Sequence, residues 1–144
     1  MSDLDDMIKA ARAVRDRAYA FYSHFPVGAC IQAESGKLYV GCNIENAAYP
    51  HGMCAEAGAI SAMIAGGDRR IRAVVVLAGG AELCSPCGGC RQQLAEFSKP
   101  TTPIHICGPE GLRQSTTMGE LLPLAFGRHN LDDDAPDEDE EDDK

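Results

Sequence analysis

Ile71-Arg72-Ala73-Val74-Val75-Val76-Leu77-Ala78 is a nearly continuous β-branched run. Such a run predicts a central strand buried on both faces, not a strand with one wet face. A strand buried twice needs helices above and below it, and the flanking sequence offers them. On the N-terminal side, Cys54 to Ala65 reads as a helix ended by Gly66-Gly67. On the C-terminal side, Pro86 precedes a helix over about Cys87 to Phe97 that stops before Pro100. Farther out, Leu4, Met7, Ala11, Val14, Ala18 and Phe21 recur at steps of three and four, which predicts an amphipathic helix over 4–22. Ser2 with Asp5 resembles its capping box. Residues 27–33 and 38–42 read as strands joined at Ser35-Gly36, and a loop from Asn43 to Gly52 follows. Ile104 to Cys107 reads as a short strand, Gly108 to Gly111 as a turn and Leu112 to Thr117 as a last strand. Thr117 with Glu120 caps a final helical segment interrupted near Pro123. The order predicts an α/β fold: a three-layer α/β/α sandwich on a mixed, mostly five-stranded sheet.

The chain of 144 residues suits one domain with a real hydrophobic core. No apolar stretch approaches a membrane span, so no membrane partner is expected. Met1-Ser2-Asp3-Leu4-Asp5-Asp6 lacks the basic start and apolar run of a secretory signal, and a cytoplasmic location is expected. The net charge of −9 is unevenly spread, because Asp132 to Asp143 hold ten of the 22 acidic residues. Without that segment and Lys144, twelve acidic residues face twelve basic ones. Neither part offers the basic surface that nucleic acid requires. The organisation expected is a catalytic domain over 1–131 and an acidic, disordered tail over 132–144.

Seven cysteines stand at 30, 42, 54, 84, 87, 90 and 107. An odd number in a chain without a secretory start argues against a disulfide framework and favours metal ligation for a Cys-x-x-Cys pair. Cys54-Ala55-Glu56 and Pro86-Cys87-Gly88-Gly89-Cys90 both fall at predicted helix N-termini. Free backbone N–H groups and the helix dipole favour thiolates there, and thiolates are what zinc binds. Three protein ligands leave a tetrahedral ion one open position, the mark of a catalytic site rather than a structural one. Glu56, two residues past the first ligand, is placed to handle protons beside the ion without ligating it. Two other readings stand beside this one. The Cys-x-x-Cys pair also suits a redox centre, and Cys84 as fourth ligand would close a structural zinc knuckle. Cys30, Cys42 and Cys107, on or at the ends of strands, read as small buried side chains.

Cys-Ala-Glu followed by Pro-Cys-x-x-Cys resembles the zinc nucleoside deaminase signature, with Cys as first ligand. Phe25-Pro26-Val27-Gly28-Ala29, Gly41-Cys42-Asn43-Ile44-Glu45-Asn46-Ala47, Cys90-Arg91-Gln92 and Leu121-Leu122-Pro123 are similar to the small homotetrameric zinc-dependent cytidine deaminases, in that family's order. The resemblance runs from about Tyr19 to Leu131. It implies one Zn²⁺ per subunit on Cys54, Cys87 and Cys90, and hydrolysis of cytidine and 2′-deoxycytidine to the uridine forms with release of ammonia, in pyrimidine salvage. It implies that Glu56 takes a proton from a zinc-bound water, protonates N3 as hydroxide attacks C4, and then protonates the departing amine. It further implies a nucleoside pocket in which Asn43 and Glu45 hold the ribose 3′-hydroxyl, Phe25 stacks near the base and the Ala55 backbone bonds the pyrimidine edge. Ala47, Tyr49 and Phe126 would act across an interface in a homotetramer with shared active sites.

The chain departs from the family pattern after the catalytic glutamate. Many relatives carry Arg there, hydrogen-bonded to the thiolates; this chain has Ala57. Three thiolates on one Zn²⁺ sum to a negative charge, so helix N–H groups and Arg91 are candidates to draw charge off the sulfurs, with a structural salt-bridge partner as the other reading of Arg91. A blasticidin-type deaminase of a cytosine nucleoside antibiotic shares the metal elements, and the Phe25 and Asn43–Ala47 segments favour the plain nucleoside over it. A non-catalytic zinc-stabilised scaffold is the reading from a different class, and Glu56 argues against it.

Overall fold

The computed structural model describes residues 3–131. The acidic segment 132–144 and the Ser2 cap lie outside the described residues. The elements are α1 (Asp3–Arg15), β1 (Val27–Ala33), β2 (Leu38–Cys42), α2 (Ala55–Ala65), β3 (Ile71–Ala78), α3 (Gly88–Glu96), β4 (Pro103–Gly108), β5 (Gly111–Thr117) and α4 (Met118–Leu121), with short 3₁₀ turns at Tyr49–His51 and Arg128–Asn130. The sheet order is β2-β1-β3-β4-β5. β3 and β4 run parallel, and every other neighbouring pair is antiparallel. This is the mixed five-stranded sheet expected from the sequence.

β3 shows why its run is apolar throughout. Ala73, Val75 and Leu77 face α1 and pack with Met7, Ile8, Ala11, Cys30 and Cys107. Val74 and Val76 face the other way, onto Ala55, Ala59, Ile60 and Met63 of α2, Leu94 of α3 and Met118 at the start of α4. The two-residue alternation of a strand thus feeds two cores. Burial pushes the thiols of Cys30 and Cys107 up, to about 12 and about 11, so both remain neutral packing groups. Cys42, at the end of edge strand β2, is half-buried.

The first helix is shorter than its periodicity predicts. It ends at Arg15, and Tyr19 instead pairs with Ile44 in a parallel bridge. Its amide donates to Asn43 O and its carbonyl accepts from Glu45 N. Backbone pairing with the 43–53 loop outcompetes a further helical turn, and apolar spacing alone cannot register that competition. One close approach seats the site. A Cβ on Gly41 would lie 2.4 Å from both Ala55 O and Ala59 N, so α2 reaches β2 because that residue has no side chain. Thr117 caps α4 by accepting from the Glu120 amide, as its spacing predicts.

Candidate metal centre and active site

Cys54 is the N-cap of α2 and Cys87 the N-cap of α3, both with extended backbone; Cys90 lies in the first turn of α3. Two helix N-termini therefore converge on one point. The Sγ atoms of Cys54, Cys87 and Cys90 lie within 4.8 Å of one another, and among the described residues Cys84 does not join them. Sulfurs at about 2.3 Å from a tetrahedral Zn²⁺ stand about 3.8 Å apart, so the cluster needs little contraction to hold the ion. Cys54 and Cys87 are exposed, Cys90 is buried, and all seven cysteines are free thiols. The three-sulfur donor set with one accessible side fits zinc in an open site, and the closed knuckle through Cys84 has no geometric support here.

The electrostatics divide the three thiols. The Cys90 backbone N–H aimed at Cys87 holds the Cys87 thiol below its ordinary value. Burial raises Cys54, although the Cys90 side chain opposes this, and burial raises Cys90 most strongly. Bare sulfurs so close together resist shared ionisation, and a divalent cation removes that conflict. Glu56, in the first turn of α2, is 5% exposed. Desolvation raises its carboxyl above the ordinary range, with partial relief from its own backbone N–H and the Cys90 side chain. A buried carboxyl that retains its proton nearer neutral pH, placed beside a cation site, is equipped for proton transfer.

Arg91 does not turn to the sulfurs. Its Nε donates to Pro86 O at 2.8 Å, its two terminal nitrogens to Leu121 O and Ser85 Oγ at 3.0 Å each. The guanidinium braces the backbone just before Cys87 against the end of α4. Its spacing after Cys90 signals a link to the site, but its partners are two carbonyls and a hydroxyl. Neither expected contact is among these bonds: Arg91 is a hydrogen-bonded brace, not bonded to the sulfurs or to a carboxylate through them. Among the protein groups, the helix N-termini are left to offset thiolate charge, with Ala57 half-buried beside Glu56.

Asn43 and Glu45 build the neighbouring rim. Asn43 Oδ1 accepts from Val27 N at 2.8 Å and its Nδ2 donates to Phe25 O at 2.9 Å. Glu45 Oε1 accepts from Tyr22 N at 2.9 Å and Ser23 N at 3.0 Å, while Oε2 accepts from the Ser23 hydroxyl. Those bonds, the Ser23 hydroxyl foremost, hold the Glu45 carboxyl below its ordinary range. Between their attachment points His24 adopts a left-handed φ of 57°, which the two clamps sustain. Ser23 carried no signal in the sequence, because its partner is 22 residues away.

The aromatic residues stand outward. Phe25 is 42% exposed, Tyr49 75% and Phe126 57%, so plain core packing does not describe them within one chain. Tyr22 and Tyr49 meet edge-to-face with centroids 5.9 Å apart. They line an open cavity of about 360 Å³ with Ser23, Glu45, Asn46 and Gly52. The cysteines do not line it; it adjoins the Glu45 side of the rim. Phe126 is anchored through its carbonyl to Gln92 Nε2 at 2.9 Å. Ala47 lies exposed on the 43–53 loop, and Ala55 is buried at the start of α2.

A family model for the cytidine and deoxycytidylate deaminase zinc-binding region matches residues 1–106. The chain belongs to the cytidine and deoxycytidylate deaminase family. Within that family, it is 41% identical over 129 residues to the cytidine deaminase of Sporosarcina psychrophila, covering 90% of this chain and 95% of the relative. The crystal structure of the Burkholderia pseudomallei cytidine deaminase matches with a TM-score of 0.82 at 40% identity, over 88% of this chain and 100% of that one. The Mycobacterium tuberculosis enzyme matches with a TM-score of 0.75 at 34% identity, over 88% and 99%. A zinc-binding family model is in keeping with the three-sulfur cluster. Among the described residues, no helix of this deaminase-family chain is long and apolar enough to cross a membrane.

Proposed function

We propose that this protein hydrolyses cytidine and 2′-deoxycytidine to the corresponding uridines and ammonia. The convergence of three cysteine sulfurs on one point with the buried carboxyl of Glu56 beside it carries this reading. Cys54, Cys87 and Cys90 would hold one zinc ion per chain, and zinc bound there supplies Lewis acidity that makes water nucleophilic near neutral pH. Glu56 accepts the proton that water gives up and delivers it to N3 of the pyrimidine as C4 is attacked. It then takes the remaining proton from the new C4 hydroxyl and passes it to the amino group, which leaves as ammonia as the C4 carbonyl forms. Its raised pKa suits both halves of that duty. The N–H groups at the start of α2, that of Ala55 among them, are free of intrahelical partners and suit the pyrimidine edge.

Asn43 and Glu45 are assigned the ribose 3′-hydroxyl. Each keeps capacity for it: Asn43 a second amide proton, and Glu45 the remaining lone pairs of Oε2. Phe25 lies on the segment that Asn43 ties down, within reach of a stacked base. The exposed Tyr49 and Phe126, with Ala47, support a pocket completed by a second subunit of a homotetramer. Residues 1–131 form the catalytic unit of a cytoplasmic salvage enzyme.

The test is an absorbance assay with cytidine, 2′-deoxycytidine and a blasticidin-type cytosine nucleoside in parallel. Turnover of the two plain nucleosides is expected. Dominant turnover of the antibiotic would replace this substrate assignment with the other.

A further inference from the structure

The loop at residues 79–87 joins β3 to Cys87 and belongs to no helix or strand. It begins at Gly79-Gly80, where Gly80 holds a left-handed φ of 90°, and it ends at a metal ligand. Two guanidinium groups reach it from elsewhere in the fold. Arg91 holds the ligand end through Ser85 and Pro86. Arg113, on edge strand β5, holds the other end: its two terminal nitrogens donate to Gly80 O at 2.6 Å and Glu82 O at 3.1 Å.

Arg113 is itself seated. Its Nε and one terminal nitrogen grip the two oxygens of Glu110 as a fork, at 2.5 and 3.1 Å. A Cβ at Gly108 would lie 2.2 Å from the guanidinium carbon, so the side chain passes over a residue that has none. Arg12 donates to Pro109 O at 3.2 Å and ties the same turn to α1. The Arg113 side chain is only 17% exposed, against 60% for Glu110. An ordinary surface pair at this spacing holds nothing else; this one converts a β-turn into a clamp on a loop more than thirty residues away.

We propose that Arg113, held by Glu110 over Gly108, is a positioning residue for the zinc centre. By fixing the β3 end of the 79–87 loop while Arg91 fixes the other, it presents Cys87 to Cys54 in ligating register before the ion arrives. The inference rests on the zinc reading above. Groups hydrogen-bonded directly to a ligand typically change metal affinity by about 10- to 100-fold when removed, and a brace farther along the loop is expected at the lower end of that range.

The experiment uses the zinc-loaded full chain and follows release of zinc to a chromogenic chelator, for wild type, Arg113→Ala, Arg113→Lys, Gly108→Ala and Arg72→Ala. Gly108→Ala displaces the guanidinium without removing it, and Arg113→Lys keeps charge but loses the fork. Arg72, at the opposite end of β3, bonds Glu34 O and pairs with the Glu34 carboxylate, and serves as the control. Release about 10-fold faster is expected for Arg113→Ala and Gly108→Ala, an intermediate rate for Arg113→Lys, and the wild-type rate for Arg72→Ala. Altered visible bands of the cobalt(II)-substituted Arg113 variants, at unchanged circular dichroism, are the matching sign of moved sulfurs. If Arg113→Ala does not fold, Gly108→Ala and Arg113→Lys decide. Wild-type release rates and cobalt spectra in those variants overturn the clamp and leave the zinc centre standing. A wild-type chain that takes up no zinc overturns the zinc centre itself, and the clamp with it.

Discussion

The candidate metal corner and the rim proposed for the nucleoside are built in opposite ways. The corner is finished within one chain: two helix N-termini anchored in a core of Ala55, Ala59, Leu94 and Val76 bring three sulfurs and Glu56 together. The rim is not finished. Phe25, Tyr49 and Phe126 project outward, and Asn43 and Glu45 spend most of their bonding on the 22–27 segment. Chemistry is thus stored in the rigid scaffold, where a displacement costs core packing. The proposed recognition lies on loops that leave apolar groups exposed in the single chain.

The comparison breaks most sharply at the corner. Cys87→Ala removes the proposed ligand with the depressed pKa, and loss of both zinc and measurable turnover is expected, checked by metal analysis of the purified variant alongside the assay. Retained zinc and turnover would move the metal elsewhere. Glu56→Gln keeps the size of the side chain and removes its proton chemistry. It should lower kcat by roughly 10²- to 10⁴-fold while zinc content stays at the wild-type level. Near-normal kcat in that variant would dismiss the proton-transfer role.

Rim substitutions should act differently. Glu45→Gln retains shape but weakens three accepted hydrogen bonds and the assigned ribose contact. A rise in KM of roughly 10-fold is expected, the scale of one charge-assisted hydrogen bond, and a kcat-only effect would contradict the assignment. The same carboxylate gives a pH signature. Its folded pKa lies below its unfolded value of about 4.3, so the stability it contributes is present above that value and lost as pH falls through the folded pKa. Thermal melts across the acid range should therefore converge for wild type and Glu45→Gln at the lowest pH. Phe126→Ala should have the smallest effect per chain at high protein concentration. Its specific activity should decline on dilution more steeply than wild type, as sizing chromatography alongside the assay would show.

How much was legible in the sequence follows the same division. β3 matches its expected range because an apolar run buried on two faces leaves one interpretation, and β1 and β2 match theirs because the Ser35-Gly36 turn marks where the two strands meet. The three-cysteine cluster was legible because both cysteine motifs fall at helix starts, and the fold brings the two starts together. The end of α1 was not, since Val14, Ala18 and Phe21 keep helical spacing while Tyr19 pairs with Ile44 instead. Asn43 and Glu45 were legible as polar residues with a purpose. That they also clamp the His24 turn depends on contacts 16 to 23 residues distant. Arg113 gave no signal at all: beside Glu110 it has the spacing of any surface ion pair, and its carbonyl partners have no sequence signature.

The most direct test of the central claim is zinc content measured together with the fall in absorbance as cytidine becomes uridine, on one preparation. One zinc per chain is expected, with turnover that disappears when a chelator strips the metal and recovers when zinc is restored. Undiminished turnover by the metal-free protein, or a zinc-replete protein inert toward cytidine, would contradict it.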